Sequence, residues 1–147
     1  MTASSYPPVA FHFSVEFPEI SSNSQDNRFQ SVTGLTVDID TEEIAEGGEN
    51  RFRHKIPVRT KYPNLVLKRG MLIDSEVISW LNEAMENFQF KPTTVVLKLL
   101  NEKHEPLISW NFVHAYPVKW TVSELNATQS QLAIETLELT YNYFSRI

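Results

Sequence analysis

The chain is predicted to be mainly β, an antiparallel β-sandwich or barrel with one flanking α-helix and a long charged β-hairpin arm. Three observations predict this. Apolar and polar residues alternate with a period of two in segment after segment, only one stretch repeats its apolar residues at helical spacing, and charges of opposite sign are sorted into consecutive blocks about a glycine pair. With 147 residues and 41% hydrophobic content, one domain spanning 1–147 is expected, large enough to bury a core without staples. The absence of cysteine excludes disulfides, thiolate metal sites and a thiol nucleophile.

Residues 1–8 end in Tyr6, Pro7 and Pro8 and read as an extended lead-in, since proline fixes φ and lacks a ladder donor. Phe11, Phe13, Val15 and Phe17 alternate with His12, Ser14 and Glu16, which places four apolar side chains on the core face of a first strand. Pro18 to Asn27, rich in Ser and Asn, is a loop. Phe29 to Ile39 is a second strand, with Leu35, Val37 and Ile39 on one side and Gly34 marking a bulge or bend.

That strand runs into the arm. Asp38, Asp40, Glu42, Glu43, Glu46 and Glu49 stand without a base among them, and Arg51, Arg53, Lys55, Arg59, Lys61, Lys68 and Arg69 follow without an acid, seven of the chain's 13 Lys and Arg. Gly47 and Gly48 sit where the sign changes and supply the positive φ of a tight reversal. Two limbs folding back across this turn form a hairpin that projects from the body. Asn64 to Lys68 is the next strand, ended by Gly70.

The helix is expected from Asp74 to Phe88, with Asp74 as N-cap, an Ile73–Ile78 staple, and Val77, Leu81, Ala84, Met85 and Phe88 facing the sheet. After Pro92, the β-branched run Thr93 to Leu100 is apolar on both faces, as a central strand would be. Asn101 to Pro106 is a charged turn. Leu107 to Tyr116 alternates with Ile108, Trp110, Phe112 and His114 on one face. Val118 to Val122 follows Pro117 as a further strand, and Gln131 to Phe144 is a long last one.

Catalytic and ligand constellations are missing from the sequence. No nucleophile elbow, phosphate-binding glycine loop or His-Glu-x-x-His occurs, and His12, His54, His104 and His114 fall in four different elements without ligand spacing. Asp38, Asp40, Glu42 and Glu49 match places one, three, five and twelve of a calcium loop, but Glu43 replaces its turn glycine and no helices flank it. A solvated acidic face is the simpler reading, and no cofactor or metal is expected. Trp80, Trp110 and Trp120 could line a ligand site, yet the first two occupy packing positions. A net charge of -5 and the lack of aromatics within the basic run argue against nucleic acid. The start MTASSYPPVAFHFSVEF has neither a basic n-region nor an apolar h-region, and no apolar run is long enough to cross a bilayer, so a soluble protein without membrane insertion is expected.

Several motifs in order carry a resemblance. Glu46-Gly47-Gly48-Glu49-Asn50, Pro57, Tyr62-Pro63-Asn64-Leu65-Val66-Leu67-Lys68-Arg69-Gly70, a helix with Trp80-Leu81, Trp110-Asn111-Phe112-Val113-His114-Ala115-Tyr116-Pro117-Val118-Lys119-Trp120 and Ile134-Glu135-Thr136-Leu137-Glu138-Leu139 together resemble the tail tube proteins of T4-like contractile phages and phage-tail-like contractile injection systems. The similarity runs from Tyr6 to Phe144, and the secreted tube protein of type VI secretion is a relative. The resemblance implies a structural protein without catalysis: homohexameric rings, joined by their sheets, stacked into a hollow tube inside a contractile sheath. It implies as partners further copies of the chain, the sheath protein, baseplate, spike and cap proteins, and cargo or a tape-measure protein in the lumen. It also implies assembly in the bacterial cytoplasm and a place in a virion tail or injection particle. The contacts between subunits and rings are expected at Glu42, Glu43, Glu46, Gly47, Gly48, Glu49, Arg51, Arg53, Lys55, Arg59 and Lys61. A baseplate-proximal ring of the same fold shares every motif. A small-ligand β-barrel is the alternative from another class, and it would need an internal apolar pocket and no charged arm.

Overall fold

The computed structural model describes residues 12–21, 29–45, 47–48, 53–71, 75–128 and 132–147. Their elements run in the order β1 (His12–Glu16), β2 (Ser31–Thr33), β3 (Asp38–Ile44), β4 (His54–Lys61), β5 (Leu65–Gly70), α1 (Glu76–Asn87), β6 (Thr93–Leu100), β7 (Pro106–Val122), β8 (Ile134–Thr140) and β9 (Tyr143–Arg146). Seven strands form one antiparallel sheet in the order β1-β6-β7-β8-β5-β2, with β9 also on β7, while β3 and β4 pair only with each other. The large sheet folds about β7. The first part of that strand pairs with β6 and β9, and the part from Tyr116 to Val122 pairs with β8. Val15, Val95, Leu97 and Phe112 from one half meet Leu65, Leu67, Leu137 and Leu139 from the other in a single core, together with Val77, Trp80 and Leu81 of the helix. The predicted β-sandwich with one helix and a hairpin is therefore the observed fold, and β6 is central as expected, with β1 and β7 on its two sides.

The single strand expected from Phe29 to Ile39 is two strands, because the chain breaks at Gly34. Its φ is +94°, and a Cβ there would lie 2.1 Å from the backbone oxygen of Asn64, so the position needs both the freedom and the smallness of glycine. Leu35, Val37 and Ile39 are exposed as a result. Of the strand expected from Phe11 to Phe17, Val15 and Phe17 are fully buried and Phe13 packs at the core's edge; Phe11 lies outside the described residues, as do the lead-in 1–8 and most of the loop after Pro18.

The helix starts later than expected. Ser75, in an extended conformation, is the N-cap, and its Oγ accepts from the Ile78 N–H at 3.3 Å. Asp74 and Ile73 lie outside the described residues. Val77, Trp80, Leu81 and Ala84 are buried, and Trp80 leans on Phe17 at 5.8 Å while its indole N–H donates to the Lys91 carbonyl at 2.7 Å. Met85 and Phe88 were expected in the core and are 43% and 81% exposed. One residue turns a helix by about 100°, which carries Met85 away from the side that Ala84 buries. Phe88 lies past the last turn, in the left-handed region at φ 53°, where its N–H and that of Gln89 both donate to the Glu83 carbonyl and close the helix.

Pro117 does not divide two strands. β7 is continuous for 17 residues. A bulge accommodates it: Pro117 lies opposite Leu139 and Lys119 opposite Glu138, leaving Val118 unmatched; a second bulge puts an extra residue of β7 opposite Thr93–Val95, and a third leaves Leu107 unmatched opposite Leu99–Leu100. The second bulge ends the predicted alternation at Phe112, so that His114 is exposed at φ 60° and Ala115 is buried instead. The last strand, expected from Gln131 to Phe144, divides into β8 and β9, because the chain leaves β8 for the other half of the sandwich at Tyr141–Asn142.

Tyr141 fills this corner against Phe112 at 4.9 Å, Tyr62 at 6.1 Å and Phe144 at 6.2 Å, with its hydroxyl buried. Burial, and secondarily the neighbouring Tyr62, push its pKa from 10.0 up to about 12. At pH between these values the folded subunit keeps a proton that the unfolded chain releases. The stability linked to Tyr141 is therefore complete below pH 10 and is lost as pH rises toward 12. Urea titrations across this range should show a decline that Tyr141→Phe lacks; equal declines in parent and variant would exclude Tyr141 as the source.

Candidate inter-subunit interface

The hairpin is built as its sequence dictates. Alternating Thr, Ile and Val suit both limbs to extended structure, the acidic limb becomes β3 and the basic limb β4, and Gly48 turns between them at φ +91°. The register sets Asp38 opposite Lys61, Asp40 opposite Arg59 and Glu43 opposite Lys55, with a bulge at the level of Thr41. Among the described residues two ion pairs cross it: Arg59 Nε to Asp40 at 3.2 Å and an Arg53 guanidinium nitrogen to Glu43 at 3.8 Å. Both are exposed, so each contributes only about 0 to 1 kcal/mol.

Every residue of β4 is exposed, and in β3 only Asp40 is partly shielded. Among the described residues the hairpin packs on no other strand and not on the helix. A two-stranded ribbon wet on both faces is marginal by itself. This one also exposes Ile39, Ile44, Ile56 and Val58, each at least 40% accessible. Its root, by contrast, is fixed. Tyr62 stacks edge-on against Phe144 at 5.3 Å, the Asn64 amide donates to Glu138 at 3.0 Å, and Gly34 presses on the Asn64 carbonyl. An anchored base thus carries an arm that has no packing partner among the described residues of its own chain.

Of the residues expected at subunit contacts, Glu42, Glu43, Gly47, Gly48, Arg53, Lys55, Arg59 and Lys61 are brought together on this arm; Glu46, Glu49 and Arg51 lie outside the described residues. The basic limb ends earlier than the charge run suggested. Lys68 and Arg69 belong to β5 in the body, and Arg69 is buried against Glu135. The exposed aliphatics of the ribbon were missed beside the charges. Their signal was present in the apolar residues spaced through both charged limbs.

Among the described residues no group of three or more His, Asp and Glu is placed to hold a metal ion, and no helix is long and apolar enough to cross a membrane. Space between the sheets is filled by Phe17, Phe112 and the aliphatics around them. An open groove of ≈ 410 Å³ lies beside α1 at the edge of this core, lined by Ile20, Ser79, Trp80, Glu83, Gln89, Phe90 and Lys91.

A filled antiparallel β-sandwich with one flanking helix and a ribbon that packs on no other element among the described residues defines the fold class. The chain belongs to the T4-like virus tail tube protein gp19 family, whose sequence profile matches residues 9–145. It is similar to a chain in the baseplate of the anti-feeding prophage, with 31% identity and a TM-score of 0.86 over 98% of this chain and 97% of that one. It is likewise similar to a chain in the extended sheath–tube complex of the extracellular contractile injection system PVC, with 26% identity and a TM-score of 0.81 over 97% and 93%. Hcp1 from Flavobacterium johnsoniae shares the fold, at 17% identity and a TM-score of 0.55 over 92% and 94%. No curated protein sequence matches the chain. Its role is that of a structural tube protein.

Proposed function

We propose that the chain acts as a single tail-tube domain, 1–147, whose copies associate in hexameric rings that stack into a hollow conduit within a contractile sheath, without catalytic activity. The observation that carries this is the arm, a ribbon with exposed apolar residues and sorted charge but no packing partner among the described residues of its own chain. A neighbouring copy supplies what the ribbon lacks. Contacts run through Glu42, Glu43, Glu46, Gly47, Gly48 and Glu49 on the acidic side and Arg51, Arg53, Lys55, Arg59 and Lys61 on the basic side. Within the described residues β1, β2 and β9 are edge strands of the large sheet. Such edges offer unpaired backbone groups that a second copy can extend, which favours lateral closure into a ring.

The proposed partners are further copies of the chain, sheath, baseplate, spike and cap proteins, and cargo or a tape-measure protein in the lumen. The proposed setting is a tube assembled in the bacterial cytoplasm and carried in a phage tail or extracellular injection particle. A second reading, a ring that starts the tube at the baseplate, is favoured by the similarity to the anti-feeding prophage baseplate chain. Negative-stain microscopy of the purified protein separates them, since a main tube protein polymerises into long hollow rods and an initiator stops at single rings. A monomer at every concentration and at low salt would overturn both. The arm is tested by reversing Glu46 and Glu49 to Lys. The variant is expected to keep its circular dichroism spectrum and lose stacking, and high salt should weaken stacking in the parent. A folded variant that still forms normal rods would remove the arm from the contact.

A further inference from the structure

The arm prolongs the β2–β5 hairpin without a change of register. In the body Thr33 lies opposite Val66, and in the arm Asp38 lies opposite Lys61, so the chain advances equally on both limbs, from 33 to 38 and from 66 back to 61. β3 thus continues β2, and β4 runs on into β5, while β8, the other neighbour of β5, turns away at Tyr141–Asn142. Between body and arm the ladder is open. Gly34 to Val37 on one limb and Tyr62 to Asn64 on the other belong to no strand. A two-stranded ribbon interrupted in this way swings at the gap unless other contacts hold it.

Each limb is held at the gap by different means. Tyr62 is half-buried and packs edge-on against Phe144 at 5.3 Å and Tyr141 at 6.1 Å, Pro63 has its φ fixed by its ring, and the Asn64 amide donates to Glu138 of β8 at 3.0 Å. These contacts tie the β4 side to the aromatic corner and to β8. On the other limb the Thr36 N–H donates to the Gly34 carbonyl at 2.9 Å, a three-residue turn that shortens this limb relative to an extended one. Leu35 and Val37 are exposed, so the core gives this side little hold. Gly34 lies directly against the Asn64 carbonyl, with no room there for a Cβ. A shortened limb on one side and a tethered limb on the other define a single bend, and Asn64 stands at its centre in contact with both Gly34 and Glu138.

We infer that Gly34, Asn64 and Glu138 are positioning residues that fix the angle of the arm in the free subunit, so that a neighbouring copy meets an arm already aimed. The entropy that a swinging ribbon would lose on docking is then lost on folding instead, and association has less to order. This rests on the reading of the arm as an inter-copy contact and names what directs it.

The chain has no cysteine, so spin labels at Lys55→Cys on the arm and Thr121→Cys at an exposed position of β7 report the distance between arm and body in dissociated subunits. One narrow distance distribution is expected; a broad one would mean that the arm swings freely and would overturn the proposal. Asn64→Asp, close to the parent in shape, sets a carboxylate against Glu138, and Glu138→Ala removes the acceptor. Each is expected to broaden the distribution at least twofold and, in unlabelled chains, to raise the concentration needed for assembly at least tenfold. Glu138→Gln keeps an acceptor for the Asn64 amide and should match the parent in both readings. A distribution that stays narrow in Asn64→Asp and Glu138→Ala would show that this contact does not hold the arm. A broadened distribution with assembly like the parent's would show that assembly has no need of an aimed arm, and either result overturns the proposal. The reversal of Glu46 and Glu49 changes the arm's charge and leaves the bend intact, so its effect on stacking decides separately whether the arm contact stands. Gly34→Ala should shift the mean distance, because the backbone must yield; an unmoved distance would remove Gly34 from the bend.

Discussion

Glu135→Ala is expected to destabilise the subunit by about 3 to 5 kcal/mol, because it leaves a guanidinium buried without its counter-charge. Arg69 and Glu135 are each 3% exposed and meet at 2.6 Å across the β5–β8 pair. The remaining contacts tie the helix cap, the segment before β2, and β7 to this pair. Arg69 also donates to Ser75 Oγ at 3.1 Å, where the helix begins, and its guanidinium lies 4.9 Å from the ring centre of Phe29. The other Glu135 oxygen accepts from the Trp120 indole at 3.4 Å. Loss of the carboxylate thus disturbs the helix cap and β7 together. Arg69→Met/Glu135→Leu removes both charges and fills the space, so it should recover most of the loss. Urea unfolding of dissociated subunits measures both, and Glu135→Ala within about 1 kcal/mol of the parent would show that the charge is relieved in another way.

Phe112→Ala is expected to cost about 3 to 5 kcal/mol. Phe112 is fully buried where β7 passes from one half of the sandwich to the other, and it contacts Tyr141 at 4.9 Å and Phe144 at 5.3 Å. Its removal opens a cavity among rings that also receive Tyr62, the residue at the root of the arm. Phe112→Leu keeps more of the volume and should lose less. The same unfolding measurement decides, and equal stabilities of the two variants would mean that the site collapses around either side chain.

Period and turn chemistry made most of the fold legible. β6 could be read from its β-branched run and the hairpin from sorted charge about Gly47 and Gly48; the lone Gly34 marked a bulge or bend, where the chain in fact breaks into two strands. Errors arose where one residue changed the phase. The residue added to β7 beside His114 reverses the alternation that Phe112 establishes, and a bulge of this kind leaves no mark in the pattern of apolar residues. Pro117 seemed to end a strand because a ladder needs N–H donors, but a bulge absorbs it. Arg69 looked like the end of a basic limb; only the pairing of β5 with β8, fixed by contacts 66 residues apart, brings it to Glu135.

The arm was legible in charge and not in its apolar content. Ile39, Ile56 and Val58 sit in strands, where burial is the ordinary expectation, so their exposure follows from the ribbon's separation from the body. Phe88 illustrates the limit: its spacing from Leu81 and Ala84 is helical, but the chain has already left the helix when it reaches Phe88.

The continuity of β7 has a mechanical meaning. Seventeen extended residues span about 56 Å of unbroken covalent chain. Two sheets held only by side-chain contact can slide over one another when pushed, as laminated layers do under shear. Here both layers are fastened to one rod, and slippage must bend or stretch that rod as well as break ladder hydrogen bonds. Rigidity is thus supplied by the backbone itself, with the bulges of β7 as its fixed elbows.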